Sequence, residues 1–236
     1  MKTKILFVIY LITVMSVSSI KAQSEQLKNE MRAQAAIKVD VLNGFIKDIA
    51  SKNESLEYRM YYRDQALKLF VNDGEAYKIY IKNSQGNEEV KMRDGVMMEV
   101  TSVNRAKSKS YLFKTYLYNL AHLKYDEVYI ESTDVANIKV SDMYKVNDNL
   151  YTCTCFFKQA FVGYRDGRPV YKDITEKKVE CWIRLEWVAG EAMPDYVIML
   201  GDVAALGTER MSSDTTPANS NDKKAAGGIQ TILNDL

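Results

Sequence analysis

The sequence predicts an α+β protein, a curved antiparallel sheet with three helices packed on its concave face. Three observations carry this expectation. Apolar residues recur at helical spacing through Ile37, Val41, Phe45 and Ile49, and again through Leu112, Tyr116, Leu120 and Leu123. Between and after these stripes lie short alternating strands separated by turn residues. One long two-armed strand pattern then fills Leu150 to Trp187, with Asp166-Gly167 as the turn between its arms.

Lys2 and Lys4 precede an apolar run from Ile5 to Met15, and Ala22 is a small residue suited to cleavage, so residues 1–22 are expected to be a secretory signal peptide. The run is too short for a transmembrane anchor, and Thr13, Ser16, Ser18 and Ser19 dilute it further. After its removal no membrane span is expected, and the place of work is the periplasm or the extracellular space. Cleavage takes away Lys2, Lys4 and Lys21 and no acid, which turns the formal charge of +1 slightly negative. A near-neutral protein has no broad positive field, so nucleic acid is not an expected partner.

Residues 23–207 are expected to form a single α+β domain. The first helix spans Ser24 to about Ser51, with Leu42 and Ile46 widening its stripe. Asn53 and Ser55 cap a second helix, from Leu56 to about Phe70, whose inward face is Ala66, Leu67 and Phe70. Strands are expected at Tyr77 to Ile81, Glu89 to Met92 and Val96 to Val103, the third helix from near Ser110 to Tyr125, and further strands at Glu127 to Glu131 and Ile138 to Val146. After the hairpin come Tyr196 to Leu200 and Val203 to Leu206, with Gly201-Asp202 as a bulge between them.

The hairpin's register follows from its two apolar rows. Tyr151, Cys153, Cys155 and Phe157 share one face of the first arm, and Val179, Cys181, Ile183, Leu185 and Trp187 one face of the second. A plain two-residue turn would set Cys153 against Glu180. A three-residue turn, with Gly167 left-handed, instead sets Cys153 opposite Val179 and Cys181 opposite Tyr151. In that register Cys153 and Cys181 are diagonal, and the cysteines act as small buried hydrophobes rather than as a bridged pair.

The order helix, helix, short strands, helix, long antiparallel strands resembles the nuclear transport factor 2-like superfamily over about Ala35 to Leu206. The segments RDQALKLF, YLFKTYLYNLAHL and FVGYRDGRPVYKDIT carry the likeness, and they also resemble exported proteins of Bacteroides and relatives. The resemblance implies a sheet curled around three helices into a cone with a pocket. Some relatives are isomerases or dehydratases working through buried carboxylates or histidines.

Little in this chain supplies such chemistry. His122 is the single histidine, so a two-histidine site is excluded, and its place on the third helix suits a solvent-reaching edge. Asp64 and Glu99 are the acids to inspect for a carboxylate role. No cofactor is expected. The three cysteines show no zinc spacing, so no metal is expected, and no nucleophile or phosphate-loop motif occurs. Tyr58, Tyr61 and Tyr62 cluster on the second helix and offer a flat, polar-tipped surface for a small molecule or a protein. Three classes follow: an exported non-catalytic binding or assembly module, a small-molecule enzyme using a carboxylate in the cone, and an inhibitor or immunity-type protein. The first is the leading expectation, and a homodimer through the sheet stays open.

The tail divides in two. Residues 208–228 are polar, small and unpatterned and are expected to be a disordered linker. Asp214-Thr215-Thr216 resembles the acceptor of O-glycosylation in Bacteroides, which marks Thr215. Residues 229–236 place Ile229, Ile232, Leu233 and Leu236 on one face of a short amphipathic helix, which either folds back or docks into a partner's groove.

Overall fold

The computed structural model describes residues 2–82, 85–105, 107–187, 189–190 and 194–211, and of residues 2–23, 82 and 88 the backbone alone. Thr215 and the apolar face Ile229, Ile232, Leu233 and Leu236 lie outside the described residues.

Helix α1 (Lys2–Ala50) crosses the main sheet, packing on its strands and against both other helices. Its buried row is Met31, Ala35, Val39, Leu42, Ile46 and Ile49. The expected row holds only in part: Ile49 is buried and Phe45 packs on Tyr62, but Ile37 and Val41 are each 44% exposed. The reason is geometric. At 3.6 residues per turn, steps of four drift about 40° each and wind off the contact face. The buried row alternates steps of three and four after Val39 and so stays on it.

Helix α2 (Leu56–Leu67) starts at Ser55, whose hydroxyl accepts the Tyr58 N–H at 3.3 Å, as its sequence suggests. A short 3₁₀ turn (Val71–Gly74) follows, and then β1 (Tyr77–Lys82) and β2 (Glu88–Arg93), which pair only with each other. Strand β3 (Met97–Val100) pairs with β4 (Lys109–Leu112), so the third helix, α3, begins only at Phe113 and ends at Ala121. Residues 109–112, expected to open that helix, are drawn into the sheet by this ladder. Arg59 of α2 and Lys52, just after α1, then hold the end of α3 and the residues that follow it: Arg59 donates to Ala121 O, and Lys52 Nζ to Leu123 O at 2.6 Å.

The remaining strands are β5 (Glu127–Ser132), β6 (Lys139–Val140), β7 (Tyr144–Asn147), β8 (Leu150–Arg165), β9 (Arg168–Glu186) and β10 (Asp195–Arg210). The order across the main sheet is β4-β3-β10-β9-β8-β5, with β6 and β7 also paired to β8. The sheet is open and mixed rather than purely antiparallel, because β3 runs parallel to β10 through Met98 and Val203. The bulge expected at Gly201-Asp202 seats that junction: pairing with β9 shifts between Leu200 and Val203, and Asp202 Oδ1 accepts the Met97 N–H at 2.9 Å. Arg93 donates to the other Asp202 oxygen and lies 3.4 Å from Glu180, which ties the β1–β2 hairpin to the same point.

The long hairpin differs from its expected register. Asp166 (φ 48°) and Gly167 (φ 69°) form a two-residue turn with Arg165 opposite Arg168. One extra residue, Val170, then enters β9 between the pairs Tyr164–Pro169 and Gly163–Tyr171. Pro169 has no N–H for the ladder, so a break in pairing costs least there. The bulge returns the two apolar rows to phase, and Cys153 faces Cys181 rather than Val179. All three cysteines are buried and unbridged, with the Cys155 and Cys181 sulfurs 3.6 Å apart.

Among the described residues no helix is long and apolar enough to cross a membrane.

Candidate functional site

The helix-facing row of β9 changes character half-way. Val179, Cys181, Ile183 and Leu185 belong to the main core with α1. Continuing the row toward the turn gives Lys177, Thr175, Asp173 and Tyr171, and beside them on β8 stand Gln159 and Phe161. There α3 replaces α1 as the cover, with Tyr116, Asn119 and Leu120, and β3 and the segment after it close the side with Val100, Ser102 and Arg105. Between them is a cavity of about 380 Å³, within the usual range for a small-molecule site.

Two oppositely charged groups stand on its floor, four residues and about 13 Å of strand apart. Lys177 is 7% exposed and donates to Gln159 Oε1 at 2.7 Å. The Gln159 amide is itself aimed by its Nε2, which donates to Ser132 Oγ at 3.3 Å. The Lys177 Nζ lies 6.0 Å from the centre of the Tyr116 ring, whose face attracts a cation. Burial lowers the Lys177 pKa to about 8, against the opposing pull of the Asp173 charge.

Asp173 is 4% exposed. Burial pushes its carboxyl above the usual range, although the Tyr171 hydrogen bond and the charges of Lys177 and Arg105 act the other way. Tyr171 Oη hydrogen-bonds both Asp173 Oδ2 and, at 2.7 Å, Ser102 Oγ. A phenol has one proton, so Ser102 donates to Tyr171 and Tyr171 to the carboxylate. Burial and that bond move the Tyr171 phenol up to about 12. Deeper along β9, Thr175 and Thr208 share a hydrogen bond of 2.9 Å.

The wall is aromatic. Phe161 meets Tyr125 and Tyr171 edge to face, at 5.9 and 5.8 Å between ring centres. The Tyr125 ring lies over Gly163 so closely that a Cβ there would be 2.7 Å from it. Any other residue at 163 would displace the Tyr125 ring.

None of the candidate site residues singled out from the sequence lines this cavity. Tyr58 and Tyr61 stand exposed on α2, while Tyr62 packs on Phe45. Asp64 is exposed and paired with Arg63 at 2.6 Å. Glu99 accepts from Ser108 Oγ and, at 3.3 Å, from the Ala205 N–H, one position from the lining residue Val100. His122 is exposed at the end of α3 and stacks on Tyr118 at 4.2 Å. The residues that do form the site had one signal in the sequence. Extending the apolar row Leu185, Ile183, Cys181, Val179 backwards lands on polar Lys177, Thr175 and Asp173 on a face that ought to be core.

Among the described residues, no three His, Cys, Asp or Glu side chains are grouped to hold a metal ion. No family model, no curated protein and no solved structure matches the chain.

Proposed function

We propose that this is an exported, non-catalytic binding module of nuclear transport factor 2-like build, which holds a small molecule in the cavity beneath α3. The observation that supports it is the half-polar row of β9. A fold seeking stability alone would fill that face with apolar side chains, yet here a lysine and an aspartate are buried beside a cavity with aromatic walls. The helix-helix-strand-helix order and the placement of the chamber at one end of the sheet support the cone-like build. The basic start, apolar run and Ala22 support export to the periplasm or beyond.

A thermal-shift screen of small polar and aromatic metabolites tests the reading. Binders are expected to raise the melting temperature of the wild type but not of Asn119→Trp, which fills the cavity from the exposed turn of α3. A shift that persists undiminished in N119W would locate binding elsewhere and overturn the reading.

A second reading, an enzyme acting through a carboxylate, is favoured by Asp173: a desolvated acid, with a phenol donating to it, suits proton transfer. Turnover of any compound found by the screen, lost in Asp173→Asn with binding retained, would select it.

A further inference from the structure

Lys177 is a buried cation with more donors than partners. Its ammonium carries three N–H groups, and among the described residues it has one hydrogen-bond acceptor, Gln159 Oε1, and no carboxylate within the 4.0 Å of an ion pair. Asp173, the other buried charge, has its partner in Tyr171, and Arg105 adds positive charge at the cavity's edge. The lining therefore holds two cationic side chains against one anionic one. Facing Lys177 are a neutral amide, the Tyr116 ring and, farther along β9, Asp173. The room between them is bounded by flat rings, with few aliphatic side chains.

We infer that the cavity takes a small organic anion built on a planar ring, its anionic group on Lys177 and its ring against Tyr116, Phe161 and Tyr171. This rests on the reading of the cavity as a binding site and names the class of ligand. The anion gives the ammonium further hydrogen-bond acceptors and a counter-charge at a largely buried position. The rings supply apolar area and edge-to-face contact. Asp173 stands at the opposite end of the floor and selects against a second negative group there.

Two fluorescent probes with one ring system separate the contributions. 8-Anilinonaphthalene-1-sulfonate carries an anion, and N-phenyl-1-naphthylamine lacks it. Each is titrated into the full chain, into Lys177→Met and into Asn119→Trp. The expected result is that K177M weakens the sulfonate probe by about tenfold or more, the scale of one buried charged hydrogen bond, and the neutral probe less than about twofold. A near-UV circular dichroism spectrum matching the wild type shows separately that K177M is folded. In the wild type, sulfonate affinity is expected to fall as pH rises above about 8, where the free ammonium loses its proton, and K177M is expected to lack that fall. Burial moves the phenol of Tyr171 up to about 12 and raises that of Tyr116 as well, so neither imitates the effect. Equal weakening of both probes by K177M, or of neither, would overturn the anion assignment while leaving the cavity a binding site. Binding of both probes unchanged in N119W, or no binding of either to the wild type, would overturn the site itself.

Discussion

Lys177 keeps its charge where few side chains can. A buried ammonium ordinarily pairs with a carboxylate or gives up its proton, and this one is met by an amide oxygen and a ring face. The arrangement costs stability with a definite pH signature. The folded pKa, about 8, lies below the ordinary 10.5, so between those values the unfolded chain binds the extra proton and stability rises with pH. Lys177→Met is therefore expected to be more stable than wild type at pH 7 by about 1–2 kcal/mol, net of the Gln159 carbonyl it leaves unpaired. Urea unfolding at a series of pH values checks this. The advantage should shrink above pH 8 and vanish near 10.5, whereas a constant difference would mean that Lys177 does not titrate as described. Such a cost to the fold supports the ligand-binding role proposed for Lys177. The cluster of Arg93, Asp202, Glu180 and Tyr77 differs: its members satisfy one another, and it works as a clasp for the β1–β2 hairpin.

Helix α1 and the β8–β9 hairpin each turn on a one-residue choice. On the helix, the face is set by what the sheet can receive, and the buried row runs through Leu42 rather than through Val41. Leu42→Ala is expected to cost about 2–4 kcal/mol and Ile37→Ala less than about 0.5, measured by denaturant unfolding. Equal costs would contradict the orientation of α1. On the hairpin, a tight turn followed by the Val170 bulge does the work assigned to a three-residue turn, but with the opposite displacement of the arms. The outcome places Lys177 opposite Phe157 and Thr175 opposite Gln159, and so assembles the floor of the cavity. Had the expected register held, each β9 residue would sit two positions away along β8, and Lys177 could not reach the Gln159 amide.

The molecule as a whole closes around β10. That strand receives β9 on one side and the parallel β3 on the other, so the early and late parts of the chain meet at the Asp202 bulge. Its pairing runs on to Arg210, opposite Asp173, and Met211 is buried with Ala160, Val162, Tyr164 and Ile174 on the face away from the helices. Residues 208–210, assigned by composition to a linker, thus belong to the sheet, and Met211 packs against it. A chain ending after Leu206 is expected to lose about 2 kcal/mol or more relative to one ending after Met211, since the buried methionine and the final ladder pairs go with it. Thermal unfolding of the two truncated chains decides it, and equal melting temperatures would show that the extension adds nothing.

From the amino-acid sequence follow the α+β class, the number of helices, the capped start of α2, the Asp166-Gly167 turn and the Gly201-Asp202 bulge. Each rests on short-range pattern or on the local conformational preference of one or two residues, which neighbours along the chain already express. The parallel β3–β10 contact, the register of the hairpin and the face of α1 that is buried do not follow in this way. They are set by contacts between segments far apart in sequence, and a shift of one or two residues there leaves every local pattern intact. The site shared that fate. Asp64, Glu99 and the α2 tyrosines stood out by residue type, whereas Lys177, Asp173 and Gln159 matter because a bulge at residue 170 brings two strand rows into phase under α3. Burial and partnership are properties of the assembled sheet, and they turned a lysine and an aspartate from ordinary strand charges into the floor of a cavity.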